Sequence, residues 1–276
     1  MFKKYQIIHK RKVRNQISFF GAIRNDWHHV SKLLESIYSV FWYASKEIVL
    51  VDDCSNSEQK ELAHSLLFKN KNLTIIFNKS HQGIVPCLNL GIGKISGKLC
   101  LPVAADTHFV GRIFPIVLQY AFEWHRVDFF FAKTIHLEQD TMKKTGITGW
   151  AVNKGIQCRN SAVDNFISGK SRPSGSAVAF RTETLKKYRY DQELGPLSDF
   201  YLNNLMLLKH KSYYYNKVIS ETYERKNSYS NMLAKERALS LMNAAFMKYA
   251  SDDIYLSEKQ KIRFIENEKK SGMMKE

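Results

Sequence analysis

The sequence predicts an α/β fold, a mixed and mainly parallel sheet flanked by helices, and three observations carry that expectation. Ile48 to Val51 is a short uninterrupted apolar run, the habit of a strand buried on both faces in a parallel sheet. Apolar runs of this kind alternate with segments of helical periodicity, giving β-α-β-α-β-α-β over residues 16–103, the pattern of right-handed βαβ units. Turn formers and acids then punctuate the strand ends at Asn25-Asp26, Asp52-Asp53, Asn78 to Gly83 and Asp106.

Taken in order, a basic leader (Lys3, Lys4, Lys10, Arg11, Lys12, Arg14) precedes a first strand expected over 16–20 and closed by Gly21. Val30, Leu33, Leu34, Ile37 and Val40 repeat at spacings of three and four and define a helix. The strand 48–51 follows, then a helix over 58–68, a strand over 73–77, and a helix over 84–95 stopped by Ser96-Gly97. The fourth strand is expected over 98–103. Ile113, Ile116, Val117, Tyr120 and Trp124 keep helical spacing over 112–125, in an apolar run too short to span a bilayer and so assigned to the core. A strand over 127–132 leads into residues 133–174, which are polar and expected to be irregular, as loops or an acceptor-binding insertion. A strand over 176–180 and a helix over 182–188 follow. Leu194-Gly195-Pro196-Leu197-Ser198 breaks the chain before an amphipathic helix over 199–209, and Tyr213-Tyr214-Tyr215 reads as a strand packed on the sheet. From about Met232 the tail reads as helical and basic, either a solvated face or an amphipathic helix on anionic lipid. The expected organisation is the leader 1–15, one domain over 16–230 with a boundary between its halves near 110, and the tail 231–276.

With 44% hydrophobic and 25% charged residues, the 276-residue chain has enough apolar surface for a large core, so disorder is not the default. The net charge of +16 favours polyanionic partners: nucleic acid, anionic lipid or phosphorylated substrates. Cys54, Cys87, Cys100 and Cys158 are widely spaced, with no zinc-type pairing, and read as reduced thiols of a cytoplasmic protein. No segment has the length of apolar residues needed to cross a bilayer, so the chain is expected to be soluble or peripheral.

Ligands of such sheets bind beyond the carboxyl ends of the strands, where the acids gather. One strand-end carboxylate there can accept a hydrogen bond from a pyrimidine ring N–H. Another, Asp106, can ligate Mg²⁺ or Mn²⁺, hard cations that bridge carboxylates to substrate phosphates and help a diphosphate depart. A more distant acid, Asp199, can deprotonate a hydroxyl nucleophile. Simpler roles stand beside these: helix caps for Asp52 and Asp199, polar loop positions for His81 and His108, and solvated surface for Arg172 and Arg181, which could otherwise clamp a diphosphate.

These residues resemble family 2 glycosyltransferases of the GT-A (Rossmann-like) fold. The resemblance runs from Ile17-Ser18-Phe19-Phe20-Gly21-Ala22-Ile23-Arg24-Asn25 through Val51-Asp52-Asp53-Cys54-Ser55, similar to that family's Val-Asp-Asp-Gly-Ser. It continues with Asn78 and Gly83, Asn89-Leu90-Gly91-Ile92, Gly175 to Arg181 and Leu197-Ser198-Asp199. It implies an inverting, hexosyltransferase-like enzyme that moves a sugar from a nucleotide-diphosphate donor to a glycan or polyprenyl-diphosphate-linked acceptor, in cell-surface polysaccharide or O-antigen assembly. Implied donor-binding positions are Ala22, Arg24, Asn25, Asp53, Asn78, Gly83, Asn89, Ala105 and Asp106, with Asp106 the ligand for Mg²⁺ or Mn²⁺ and Asp199 the general base. The implied location is cytoplasmic, in peripheral contact with the anionic inner face of the plasma membrane, with no nucleic acid partner. The chain departs from the family where Ala104-Ala105-Asp106 keeps one acid of an Asp-x-Asp, implying weaker metal binding. It also lacks the Gln-x-x-Arg-Trp of processive members, which favours single addition.

Two other readings compete. A sugar-1-phosphate nucleotidyltransferase would need a Gly-rich loop after the first strand, where only Gly21 stands. A degenerate, non-catalytic relative, or a nucleic-acid-binding protein, is motivated by the lost acid and the charge, although no nucleic-acid motif is visible.

Overall fold

The structure, a computed structural model, describes residues 5–8 and 16–224 together with positions 262, 263 and 266. Most of the basic leader and the tail assigned to 231–276 therefore lie outside the described residues. Within the leader, Tyr5–Ile8 forms strand β1, paired antiparallel with β4 (Leu73–Asn78).

The first half follows the expected alternation. Strand β2 (Ile17–Ile23) leads to α1 (Trp27–Val40), β3 (Lys46–Asp52), α2 (Ser57–Lys69), β4, α3 (Ile84–Ile92) and β5 (Leu99–Pro102). The sheet order β4-β3-β2-β5 is parallel throughout, so the carboxyl ends of these strands share one edge. Strand β2 runs through Gly21 to Ile23 rather than stopping at residue 20, because its pairing with β3 continues to Ile23 opposite Asp52.

The second half adds β6 (Thr107–Phe109), α4 (Phe114–Glu123), β7 (Phe129–Glu138), β8 (Lys144–Thr148), β9 (Gly155–Gln157) and α5 (Arg159–Ile167). Then come β10 (Val178–Arg181), α6 (Thr182–Tyr188), a 3₁₀ turn at Gly195–Leu197, α7 (Ser198–Lys209) and β11 (Ser212–Glu224). The stretch 133–174 is not irregular. β7 extends to residue 138 and folds back on β8, β9 pairs with β11, and α5 packs on α7. Its polar sequence hides these elements because β8 has one face in solvent and lacks an apolar alternation.

Strand residues alternate between two cores, one on each face of the sheet. Phe19, Ile48, Leu50, Ile75 and Phe130 face α1, α2 and α4, while Phe20, Val49, Val51, Ile76, Phe129 and Phe131 face α3, α6 and α7. Burial of each large apolar side chain contributes roughly 1.5–3 kcal/mol, so the four buried residues Ile48 to Val51 anchor the sheet on both faces. Helix α7 is more deeply buried than an amphipathic reading implies, since every residue from Tyr201 to Leu208 is buried. Tyr214 lies in the sheet with 1% exposure, as the strand reading of the tyrosine triplet expects. Among the described residues no helix is long and apolar enough to cross a membrane.

Candidate active site

The site begins where β3 ends. Asp52, fully buried, accepts hydrogen bonds from the Trp27 indole (2.6 Å) and the Ser55 backbone N–H (3.0 Å). It therefore ties the start of α1 to the turn after β3, while Asn56 caps α2 by accepting from Gln59 N–H. Asn25 joins the same clasp: its N–H donates to Ser55 Oγ (2.9 Å) and its side-chain oxygen accepts from Asn56 N–H (2.9 Å). It adopts φ 52°, a left-handed conformation that Asn tolerates better than most residues.

Asp53 points into a loop that closes around it. Its carboxylate accepts from the backbone N–H groups of Gln82 (2.7 Å) and Gly83 (2.9 Å) and from the Asn78 side chain (3.2 Å), and it meets the His81 imidazole at 2.6 Å. Gly83 starts α3 at φ 92°, a conformation other residues strain to adopt, so glycine lets the loop wrap the acid at a helix N-terminus. Burial alone raises the Asp53 carboxyl, but the donors from Gln82, Asn78 and Gly83 outweigh it and hold the group below its ordinary value. Arg24, exposed, stands 3.4 Å from the other nitrogen of His81 and extends the chain Asp53–His81–Arg24 towards solvent. Ala22 lies half-buried on β2, opposite Val51 and two residues before Arg24. His81 and Gln82 were missed as partners of Asp53. The signal was available, because an acid leaving a buried strand needs donors and the polar loop 78–83 ends the adjacent strand.

Beyond β5 the chain turns at Ala104-Ala105-Asp106, closed by Thr107 N–H to Ala104 O (3.0 Å) and Ala104 N–H to Thr107 Oγ1 (3.3 Å). Ala105 is buried in the core and Ala104 is exposed, which leaves the half-buried Asp106 as the acid of this turn. One carboxylate at a strand end, with open room at Ala104, fits a Mg²⁺ or Mn²⁺ ion that takes its remaining ligands from phosphate and water. Among the described residues, the His/Cys/Asp/Glu ligand atoms that already converge belong elsewhere, to Asp26, His28 and His29, within 4.8 Å of one another. That set of two imidazoles and one carboxylate, at the start of α1, suits borderline metals better than a hard, oxygen-seeking ion.

Strand β10 runs antiparallel to β5, so its first residues reach the edge that holds the carboxyl ends. Thr222 of β11 pairs with Thr107 and bonds to Ser176 Oγ (3.3 Å), a path from beside Asp106 to beside Gly175. Gly175 is where Asp199 arrives: a Cβ on residue 175 would lie 2.9 Å from Asp199 Oδ2, so any side chain there would make the carboxylate shift. Asp199 sits in the first turn of α7 and accepts from Phe200 N–H (2.6 Å) rather than acting as the N-cap. Burial raises its carboxyl above the ordinary value, outweighing the backbone N–H groups of Phe200 and of Asp199 itself, and its charge adds to the burial that raises the neighbouring Tyr190 phenol. Asn89 holds Tyr190 in place, its amide donating to Tyr190 O (2.8 Å) and accepting from Tyr190 N–H (2.9 Å). Both ends of that amide serve the segment leading to Asp199.

Two arginines leave the site. Arg172 is buried, donates to Phe166 O (2.6 Å) and stacks over the Phe166 ring, so it is neither a solvated residue nor a diphosphate clamp. Arg181 pairs with Asp128 (3.2 Å) and donates to the carbonyls of Phe122 and Val127, at the opposite end of β10. Burial, with the charges of Lys32 and His29, holds the His108 imidazole below its ordinary value.

Known proteins share this fold. Residues 1–349 of S. aureus TarS in complex with UDP-GlcNAc superpose with a TM-score of 0.70 at 14% identity, over 92% of this chain and 73% of that one. The mannosyltransferase PcManGT from Pyrobaculum calidifontis, in complex with GDP-Man and Mn²⁺, gives 0.64 at 14% identity, over 96% and 73%. At such identities the likeness shows the GT-A fold. No curated protein matches the sequence. The family model described as Glycosyl transferase family 2 matches residues 18–188, most of the strands and turns described above. The chain belongs to glycosyl transferase family 2.

Proposed function

We propose that this protein transfers a single hexose-type sugar from a nucleotide-diphosphate donor to a hydroxyl of a glycan or polyprenyl-diphosphate-linked acceptor, with inversion. The observation that supports it most is the gathering of Asp53, Asp106 and Asp199, from three different elements, along one sheet edge. The donor would enter over β2 and β3, its base near Asp53, Arg24 and Ala22, and Asn25, Asn78 and Gly83 would keep that wall rigid. Asp106 would hold Mg²⁺ or Mn²⁺, with Ala105 anchoring the turn. When bound, the ion supplies Lewis-acid stabilisation of the departing diphosphate. Asp199, raised by burial, would take the proton of the acceptor hydroxyl, and Asn89 would fix the segment that carries it. TarS with UDP-GlcNAc and PcManGT with GDP-Man and Mn²⁺ support the donor class and the metal. Cell-surface polysaccharide or O-antigen assembly, at the cytoplasmic face of the plasma membrane, is the setting we assign.

Calorimetric titration with UDP, GDP, dTDP and CDP, each with and without Mn²⁺, tests the donor side. One diphosphate should bind with a metal requirement that Asp106→Ala removes together with affinity. Absence of binding by all four would return the chain to the non-catalytic reading.

A further inference from the structure

Helix α4 does not bury the whole apolar run from which it is built. Ile113, Ile116, Tyr120 and Trp124 recur at spacings of three and four on one side of the helix and are 66%, 59%, 47% and 76% exposed. The Tyr120 and Trp124 rings stack at 6.4 Å. The opposite side of the helix, with Phe114, Leu118, Ala121 and Phe122, fills the core, so folding does not need the outer stripe. Next to α4, Trp42 and Tyr43 are also exposed, their rings 5.5 Å apart. Between Tyr43 and α4 opens a cavity of about 600 Å³, lined by Phe122, by the cations Lys98, Arg126 and Arg181, and by Glu123 as its acid.

The charges in this cavity are unequal in availability. Arg181 is committed to Asp128, and Glu123 accepts from the Gln119 amide. Lys98 and Arg126 are exposed and have no side-chain partner among the described residues. The cavity touches Ile17 and Leu99, the first residues of β2 and β5, so it lies about 20 Å, the length of a seven-residue strand, from the edge that carries Asp53 and Asp106. It is not part of the candidate active site.

Exposed Trp and Tyr rings beside aliphatic side chains and uncommitted cations are the composition of a surface that lies in a bilayer interface, where the rings sit among headgroups and the cations meet phosphate. A chain of net charge +16 is complementary to an anionic leaflet. We propose that the α4 stripe, with Trp42 and Tyr43, docks on an anionic phospholipid bilayer and that Lys98 and Arg126 take a lipid phosphate in the adjoining cavity. The surface would serve the membrane-side acceptor of the proposed function, on which that use rests, but the docking and the transfer chemistry can fail separately.

The test is co-sedimentation of the full chain with vesicles of phosphatidylcholine alone or mixed with phosphatidylglycerol, alongside nucleoside diphosphate titration. Wild type should bind the phosphatidylglycerol vesicles, and Ile116→Glu with Trp124→Glu should abolish binding while leaving the diphosphate affinity and melting temperature unchanged. Lys98→Gln and Arg126→Gln should each weaken binding about fivefold, the equivalent of roughly 1 kcal/mol per cation. Vesicle binding that survives the double glutamate substitution would overturn the inference. So would a fall in its melting temperature, which would mean that the stripe is covered within the chain, or a change from dimer to monomer, which would assign it to a second copy. Binding of inorganic phosphate without vesicle binding would overturn it as well. A protein that binds vesicles but no nucleoside diphosphate would keep this inference and lose the functional reading.

Discussion

The two halves of the site use the same side chain in opposite ways. In the first half, Asp53 is wrapped by Gln82, Gly83, Asn78 and His81 and held as an anion below its ordinary value of 3.8. In the second half, Asp199 has burial with backbone donors from Phe200 and its own N–H only, and its carboxyl is raised above 3.8. Donors rather than depth decide the direction, since both groups are desolvated. An acid saturated with backbone donors is a structural fixture that shapes a wall. An acid with fewer donors than its burial demands holds a proton more tightly, as the proposed base needs.

The strongest way to break this contrast is Asp199→Asn. Donor turnover should fall between about 100- and 10,000-fold, the range for loss of a general base, while nucleoside diphosphate affinity is kept. Loss of affinity in parallel would place Asp199 in the donor wall instead.

Gly175→Ala sharpens the same point by geometry alone. The new methyl would press on the Asp199 carboxylate, and displacement on the scale of 1 Å lowers turnover by up to about 100-fold. Diphosphate affinity should again hold, and retained turnover would show that the carboxylate can sit elsewhere.

Stability should move in opposite directions with pH in the two halves. Asp199, raised in the folded state, favours folding while protonated, and that contribution is lost as pH rises from 3.8 through its raised value. Asp53, depressed, adds stability above 3.8 that is lost as pH falls through its folded value. At neutral pH, Asp199→Asn should therefore raise the midpoint of urea unfolding. Asp53→Ala should lower stability by about 1–3 kcal/mol, because Gln82 and Gly83 N–H groups lose their acceptor.

The smallest effect is expected at Asn89→Ala, which removes both bonds to the Tyr190 backbone, each contributing about 1 kcal/mol. Turnover should fall more than diphosphate affinity if Asn89 serves the acceptor half.

The first half was the legible one. Runs such as Ile48 to Val51 are buried on both faces, so apolarity alone marks the strand, and the parallel direction of βαβ strands then fixes which ends share an edge. The second half was harder because its order comes from pairing across long separations. β7 runs parallel to β11 some eighty residues later, and the polar β8 and β9 exist only as partners of those strands. The approach of Asp199 to Gly175 and the burial of Arg172 are tertiary facts with no local signal. The bonds to Asp53 were within reach, because a buried carboxylate demands donors and the loop 78–83 was the place to find them.

The most direct measurement is the carboxyl titration of the two acids by carbon NMR, with the Asp53→Asn and Asp199→Asn proteins assigning the signals. Asp199 should titrate above 3.8 and Asp53 below it. Equal midpoints, or Asp53 titrating above Asp199, would contradict the division of the site into a fixed donor wall and a poised base.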